Sequence, residues 1–147
     1  MLSSGSLSDD VWKAADRVAS YLSVLLAVEY DIDTVDRIAK ARKLDDFMEG
    51  IYNALRRRHN LEDKLENALR EHEKRKEGEK GKEINEKRLK ALNDALNDIR
   101  SLNPIHLERL RSLDRGNLKL VASYIGSRAL AYTEKVGTLM QIFQGEG

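Results

Sequence analysis

The sequence predicts an all-α protein: a compact helical bundle with a long central C-terminal helix and a charged helical hairpin insertion. Apolar residues recur at intervals of three or four along most of the 147 residues, and no segment alternates with the period of two that marks a strand. The strongest such stretch is 118–143, whose main apolar line is joined by a second apolar set on the opposite side. We expect it to form one helix about 39 Å long, at 1.5 Å per residue, buried on two sides.

Length and composition indicate one helical domain over residues 8–147. Residues 1–7 are rich in serine and glycine, which predicts a disordered tail. There is no run of 18 apolar residues and no basic, apolar leader, so the sequence predicts neither a membrane span nor a signal peptide. Cysteine is absent, which excludes disulfides and thiolate chemistry. Together these features predict a cytoplasmic protein.

Three helices are expected in the first part of the domain. Ser8 is a good N-cap for a first helix whose middle is apolar nearly all round. Asp33 is expected to cap a short second helix, and Asp45 a third. In the third helix Tyr52 falls on the apolar line and is expected to face inward. Asn60 resembles the cap of the helix that follows.

The second part contains the hairpin and a short helix before the C-terminal stretch. Residues 61–102 predict a helical hairpin projecting from the bundle. Its segment 73–83 has no apolar residue and two glycines, so it is expected to be a flexible tip. Asn103, followed by proline, predicts the start of a short helix. Gly116 and Asn117 are expected to turn the chain into the C-terminal helix.

The residues that could carry catalysis or hold a metal form no recognisable site. No HExxH or ExxH spacing occurs, so we expect surface positions for the three histidines, which are His59, His72 and His106. Two carboxylate pairs have helical spacing but lie on the polar hairpin, where solvated charge is expected; they are Glu83/Glu86 and Asp94/Asp98. The sequence therefore predicts no enzyme activity, no metal, no cofactor and no small-molecule substrate.

The charge distribution is more informative than the net charge of +1. Residues 1–36 sum to −5, whereas 37–58 sum to +4 and 105–128 to +3. Guanidinium and ammonium groups on a rigid scaffold suit phosphate oxygens, which makes the basic segments candidates for backbone-directed nucleic-acid binding. The candidate residues are Arg37, Lys40, Lys43, Arg56, Arg57, Arg58, Arg109, Arg111, Arg115, Lys119 and Arg128.

Each basic group also has a purely structural interpretation. The first three candidates could form an ordinary solvated helix face. The run 56–58 stands where a helix is expected to end, so its charges could complement the helix dipole. Arg128 borders the apolar line of 118–143, and a structural ion pair and a phosphate contact are both open for it.

A second apolar face on the C-terminal stretch predicts self-association. It is formed by Leu120, Tyr124 and Ala131. We expect weak head-to-tail contact between copies through this face; burial within the same chain is the alternative.

Two segments carry a resemblance to a known family. Residues 33–39 (DTVDRIA) with the following 47–55, and residues 121–133, resemble the small subunit of archaeal type I-A CRISPR-Cas effector complexes (Cascade). The resemblance implies a non-catalytic subunit of an antiviral defence complex, packed in several copies along the crRNA filament. Its implied partners are other effector subunits, copies of itself, and the backbones of crRNA or target DNA. The alternative is a helical protein–protein adaptor that does not bind nucleic acid.

Overall fold

The computed structural model describes residues 7–75, 79–131 and 133–145. This part of the chain holds eight helices packed into one bundle and no strand, which confirms the all-α prediction. The helices are α1 (Asp9–Glu29), α2 (Ile32–Ala39), α3 (Leu44–Leu55), α4 (Arg58–Glu73), α5 (Glu79–Ser101), α6 (Pro104–Leu110), α7 (Arg115–Leu130) and α8 (Glu134–Gln144).

The bundle is built around α1 rather than around the C-terminal stretch. Twelve of the 21 residues of α1 are buried, including every residue from 21 to 28. A helix that is apolar all round must be covered all round, and α1 accordingly packs against α5, α6, α7 and α8. Leu7, predicted to lie in a disordered tail, is half-buried against this core; residues 1–6 lie outside the described part.

The predicted C-terminal helix is divided in two. The chain leaves helical geometry at Ala131, and the Thr133 hydroxyl accepts a hydrogen bond from the Val136 amide, 3.2 Å away, to begin α8. Threonine can satisfy a free amide at a helix start, which makes it a competent cap in the middle of an apolar pattern. The apolar line continues across the break, so periodicity alone did not reveal it.

Helix starts with strong cap signals lie where the sequence places them. Ser8 caps α1, and Asn103 opens α6 with a capping box that His106 completes. The predicted caps Asp45 and Asn60 are wrong, since α3 and α4 begin at Leu44 and Arg58 with no side-chain cap. At two other helices the cap is a neighbouring carboxylate. Asp31 rather than Asp33 caps α2, and Asp114 rather than Asn117 caps α7. In each case the carboxylate accepts a hydrogen bond from the amide three residues ahead.

The hairpin of α4 and α5 belongs to the core over much of its length. α5 packs against α1 and α8 as well as α4, and six residues between 91 and 102 are buried. Because the base of the hairpin is covered in this way, it is a part of the bundle rather than a projecting insertion. The expected tip is shorter than 73–83, since α4 ends at Glu73 and α5 begins at Glu79; residues 76–78 lie outside the described part.

α2 is held closely against α7. Val35 and Ile38 are fully buried, each worth about 1.5–3 kcal/mol of hydrophobic stabilisation. Gly126 permits the close approach, because a Cβ there would lie 2.4 Å from the Cβ of Ala39. This close contact therefore fixes the position of α2 and of the basic turn that follows it.

Candidate nucleic-acid interface

The end of α2 and the turn from it to α3 carry four exposed basic side chains, which we call the basic corner: Arg37, Lys40, Arg42 and Lys43. They border one shallow groove, with Asp46 and Glu49 of α3 on its other side. Lys40 pairs with Asp36 at 3.1 Å, and both side chains are well exposed. Within the described residues, the other three basic side chains have no hydrogen-bond or ion-pair partner.

A second groove lies further along α3, and we call it the Tyr52 groove. Leu44, Met48 and Tyr52 supply its apolar surface, and Arg56 and Arg111 stand at its rim. The Arg111 guanidinium donates to the Tyr52 hydroxyl, and its carbon is 5.5 Å from the centre of the Tyr52 ring.

The two grooves adjoin. Glu49 borders both, and Asp45 and Asn53 also line the Tyr52 groove. Arg56 donates to the amide oxygen of Asn53 at 3.0 Å, an exposed contact on its own helix. The sequence-predicted candidates Arg56 and Arg111, 55 positions apart in numbering, are thus brought to one site.

Arg57 and Arg58, which we call the anchored pair, have a different role. Arg57 bonds to Glu29 and to Asp31, carboxylates at the end of α1 and the start of α2. Lys64 joins Glu29 from α4 at 3.2 Å. Burial alone would raise the pKa of Asp31, but hydrogen bonds from Thr34 and Arg57 hold that pKa below its usual range.

Arg58 is turned toward the protein interior. It donates to the backbone carbonyl of Leu102 and lies 5.9 Å from the centre of the Tyr21 ring. The Tyr21 hydroxyl in turn donates to the Ala54 carbonyl at 2.6 Å, and burial raises the pKa of Tyr21. The anchored pair therefore joins α1, α2, α4 and the end of α5, and its groups are committed to the fold.

Two further candidates meet the acidic first half of α1. Arg109 pairs with Asp10 at 2.7 Å, and Arg128 with Asp16 at 3.8 Å. Of the two interpretations of Arg128, the structure supports the structural ion pair rather than the phosphate contact. Asp16 also accepts a hydrogen bond from Tyr124 at 2.5 Å, which raises the pKa of Tyr124. Arg109 and Arg128 therefore neutralise acidic side chains of α1 and do not extend the basic corner.

Arg115 and Lys119 remain exposed on the first turns of α7. Neither has an ion-pair partner among the described residues. Their position directly after Arg111 extends the row of cations along the chain, so they stay candidates for phosphate contact.

The predicted self-association face is open at its two ends. Leu120 is 52% exposed, and Ala131 is exposed. Tyr124, in the middle, packs edge-on against Trp12 with ring centres 4.9 Å apart. Tyr124 therefore packs within its own chain, as the alternative interpretation predicts. Leu120 and Ala131 are exposed and available for contact with a second copy.

The three histidines divide between surface and interior. His59 is exposed and lies 3.4 Å from Asp63. His106 is half-buried in its capping box. His72, expected on the surface, is buried, with its Nδ1 2.8 Å from the Ala68 carbonyl. No cluster of three or more metal-ligating side chains occurs in the described part of the chain.

Several residues at the grooves were not predicted as site residues, among them Arg42 and Tyr52. Arg42 was not selected because, on the predicted second helix, it does not share a face with Arg37, Lys40 and Lys43. Tyr52 was assigned to the core because it lies on the apolar line of α3, yet it is only half-buried. An aromatic residue at the edge of an apolar line, one turn from an arginine, was the available signal.

None of the described helices has both the length and the apolar character that crossing a membrane requires. No protein-family model, no curated protein and no solved structure matches this chain.

Proposed function

We propose that this protein is a non-catalytic, cytoplasmic small subunit of a CRISPR RNA-guided DNA-targeting (Cascade-like) complex that holds nucleic-acid strands by their phosphates. The observation that carries the binding proposal is the basic corner, where Arg37, Arg42 and Lys43 are exposed without acidic partners in the described part of the chain. The CRISPR setting rests on the resemblance of residues 33–39, 47–55 and 121–133, and includes several copies along the crRNA filament.

The basic corner favours phosphate binding because the backbone that carries its cations is held rigidly. α2 is fixed on α7 by the Gly126–Ala39 contact and by two buried side chains. Holding cations in place reduces the entropy lost when a strand is bound. Guanidinium groups can also bond two phosphate oxygens at once. Arg56 and Arg111 line the adjoining Tyr52 groove, and Arg115 and Lys119 are exposed on α7.

The salt dependence of binding tests the proposal. The triple variant Arg37→Ala/Arg42→Ala/Lys43→Ala should shallow the slope of log affinity against log salt by about 2–3 units, at 0.7–0.9 per lost phosphate contact. The readout is fluorescence anisotropy with a labelled 20-nucleotide single strand and with the matching duplex, at several salt concentrations.

A matched control removes the same charge elsewhere. Lys13→Ala/Lys74→Ala/Lys82→Ala takes three exposed lysines from α1 and the hairpin, and should change the slope by less than one unit. If the two triple variants changed the salt slope equally, binding would depend on total charge rather than on the basic corner, which would contradict the proposal. A salt slope that neither variant changed would also contradict it.

The CRISPR setting needs a separate test. Purification of the tagged protein from its own cells should recover short guide RNAs with repeat-derived ends and the other effector subunits. Recovery of protein partners without guide RNA would contradict the setting, even if the corner binds phosphates.

A protein–protein adaptor is the second candidate. It is favoured by two leucines on α7, Leu120 and Leu130, which are 52% and 50% exposed. Leu120→Ser should weaken capture of partner subunits in that case, and it should leave the salt slope for oligonucleotides unchanged.

A further inference from the structure

We propose that the Tyr52 groove binds an unstacked nucleobase, with guanine as the best fit. This inference rests on the proposed nucleic-acid function of the neighbouring basic corner and names what that surface would recognise beyond phosphate. Both grooves carry charges of both signs, but the Tyr52 groove differs from the corner because it adds an aromatic and apolar surface.

The apolar surface can hold the face of a base. Met48 is only 8% exposed, and Leu44 and Tyr52 are half-buried beside it. The groove is open to solvent and has a volume of about 520 Å³, enough space for a base. Tyrosine rings and guanidinium planes are the surfaces on which proteins stack single-stranded bases. Tyr52 and Arg111, with guanidinium and ring 5.5 Å apart, supply one of each.

The polar rim offers partners of both kinds for the edge of a base. Arg56 and Arg111 are donors, whereas Asp45 and Glu49 are acceptors. The two carboxylates are acceptors that a phosphate, which has no donor of its own, cannot use. Guanine uses both signs, since its N1–H and N2–H₂ groups donate to a carboxylate and its O6 and N7 accept from arginine.

The strand must be single at this point. A base within a duplex is stacked on both faces and cannot lie against Tyr52 without being extruded, which costs a few kcal/mol. Phosphates on either side of the base would then reach Arg56 in one direction and the basic corner, which adjoins through Glu49, in the other.

The test varies the ligand and the protein independently. The probes are a labelled 12-nucleotide thymidine strand, the same strand with one central guanine, and the same strand with one central abasic site. Guanine should bind about 5- to 100-fold more tightly than the abasic strand, the range of one stacked base, and duplex formation should remove this preference.

Two substitutions separate ring from hydroxyl. Tyr52→Leu should remove the preference for guanine over the abasic site, whereas Tyr52→Phe should keep most of it because the ring remains. Glu49→Gln should reduce discrimination between guanine and thymine. None of the three should alter the salt slope by as much as one unit, since no phosphate contact is removed. Thermal unfolding checks that each variant is folded.

The outcomes distinguish this inference from the function on which it rests. Equal binding of the guanine and abasic strands by the unaltered protein, with a normal salt slope, would overturn the base site and leave the phosphate surface standing. No salt-dependent binding of any strand would overturn both. If Tyr52→Leu abolished self-association and left oligonucleotide affinity unchanged, the groove would belong to a second copy, and the base site would be overturned.

Discussion

The anchored pair and the basic corner come from the same basic segment, 37–58, yet they have different roles. Arg57 and Arg58 bond to carboxylates, a carbonyl and an aromatic ring of other helices. Arg42 and Lys43 have no such partner in the described part of the chain. The first region stabilises the bundle, and the second leaves cations free for a ligand.

The difference arises from what the rest of the chain brings near each region. Arg58 is bonded to a carbonyl 44 positions later, and Arg57 to a carboxylate 28 positions earlier. The basic corner lies on a turn whose neighbours are its own two helices. Basic residues that are alike in sequence thus become structural or available according to tertiary neighbours.

The largest expected effect on the free energy of unfolding comes from substituting one arginine in each region and comparing the two variants. Arg58→Ala should lower the free energy of unfolding by about 1–3 kcal/mol, because it leaves the Leu102 carbonyl without its donor and removes the contact with Tyr21. Arg42→Ala should stay within about 0.5 kcal/mol. Urea unfolding measures both, and equal losses would remove the distinction between the regions.

The next largest effect is the loss of stability in acid that Asp31 causes, because this residue pairs with Arg57 and caps the helix that leads to the basic corner. Asp31 caps α2 and pairs with Arg57, and its pKa is lowered in the folded state. Its contribution is therefore complete above the unfolded pKa, near 3.9, and is lost as pH falls through the folded pKa.

The measurement compares Asp31→Asn with the unaltered protein in urea at several pH values. Asp31→Asn keeps a capping oxygen but loses the ion pair with Arg57, so it should cost about 1 kcal/mol at pH 7, and the difference should shrink as pH falls below 4. A difference that stayed constant to pH 2 would contradict this account of Asp31.

A smaller effect is expected at His106, beside the carbonyl that Arg58 binds. Its Nδ1 accepts from the Asn103 amide at 3.1 Å, and burial, followed by the charges of Arg17 and Arg109, lowers its pKa. Because the unfolded state binds the proton more tightly, stability should fall as pH drops below about 6.5 toward the folded pKa.

The expected loss at His106 is below about 1 kcal/mol, the scale of one cap hydrogen bond. Comparing His106→Gln with His59→Gln across pH 5–7.5 isolates it. Only the first variant should flatten the dependence; an equal change in His59→Gln, at an exposed site, would count against the capping explanation.

The smallest effect is expected in the corner itself. Lys40→Ala should cost only about 0.3–0.5 kcal/mol, because its pair with Asp36 is an exposed i,i+4 contact. At 1 M salt, where the screening length is about 3 Å, the cost should vanish. A larger or salt-independent loss would make Lys40 part of the structural region.

Local signals predicted much of the fold. Ser8 and the Asn103–Pro104 pair begin helices as expected, since capping depends on residues within one turn. The division at Thr133 was missed because the same apolar line serves both helices. The burial of the α4–α5 base was missed because a thin apolar stripe does not reveal how many neighbours cover it.

The site was less predictable than the fold. Charge counting found the basic segments but could not separate the anchored pair from the corner, because the partners Glu29, Asp31 and Leu102 are distant in sequence. Tyr52 satisfied the apolar periodicity of α3 and so was assigned to the core. Its half-buried position and its contact with Arg111, which the fold brings to it from beyond α6, depend on tertiary packing.

The contact of Gly126 with Ala39 also constrains how this chain can diverge. A methyl at position 126 would lie 2.4 Å from the one at position 39, closer than unbonded carbons approach. The two positions together hold one methyl group at this spacing, so a descendant with alanine at 126 needs either glycine at 39 or a shift of α2 away from α7. This reciprocal substitution is an inheritable signature of the α2–α7 junction, independent of surface charge, by which distant relatives that keep the basic corner in place can be recognised.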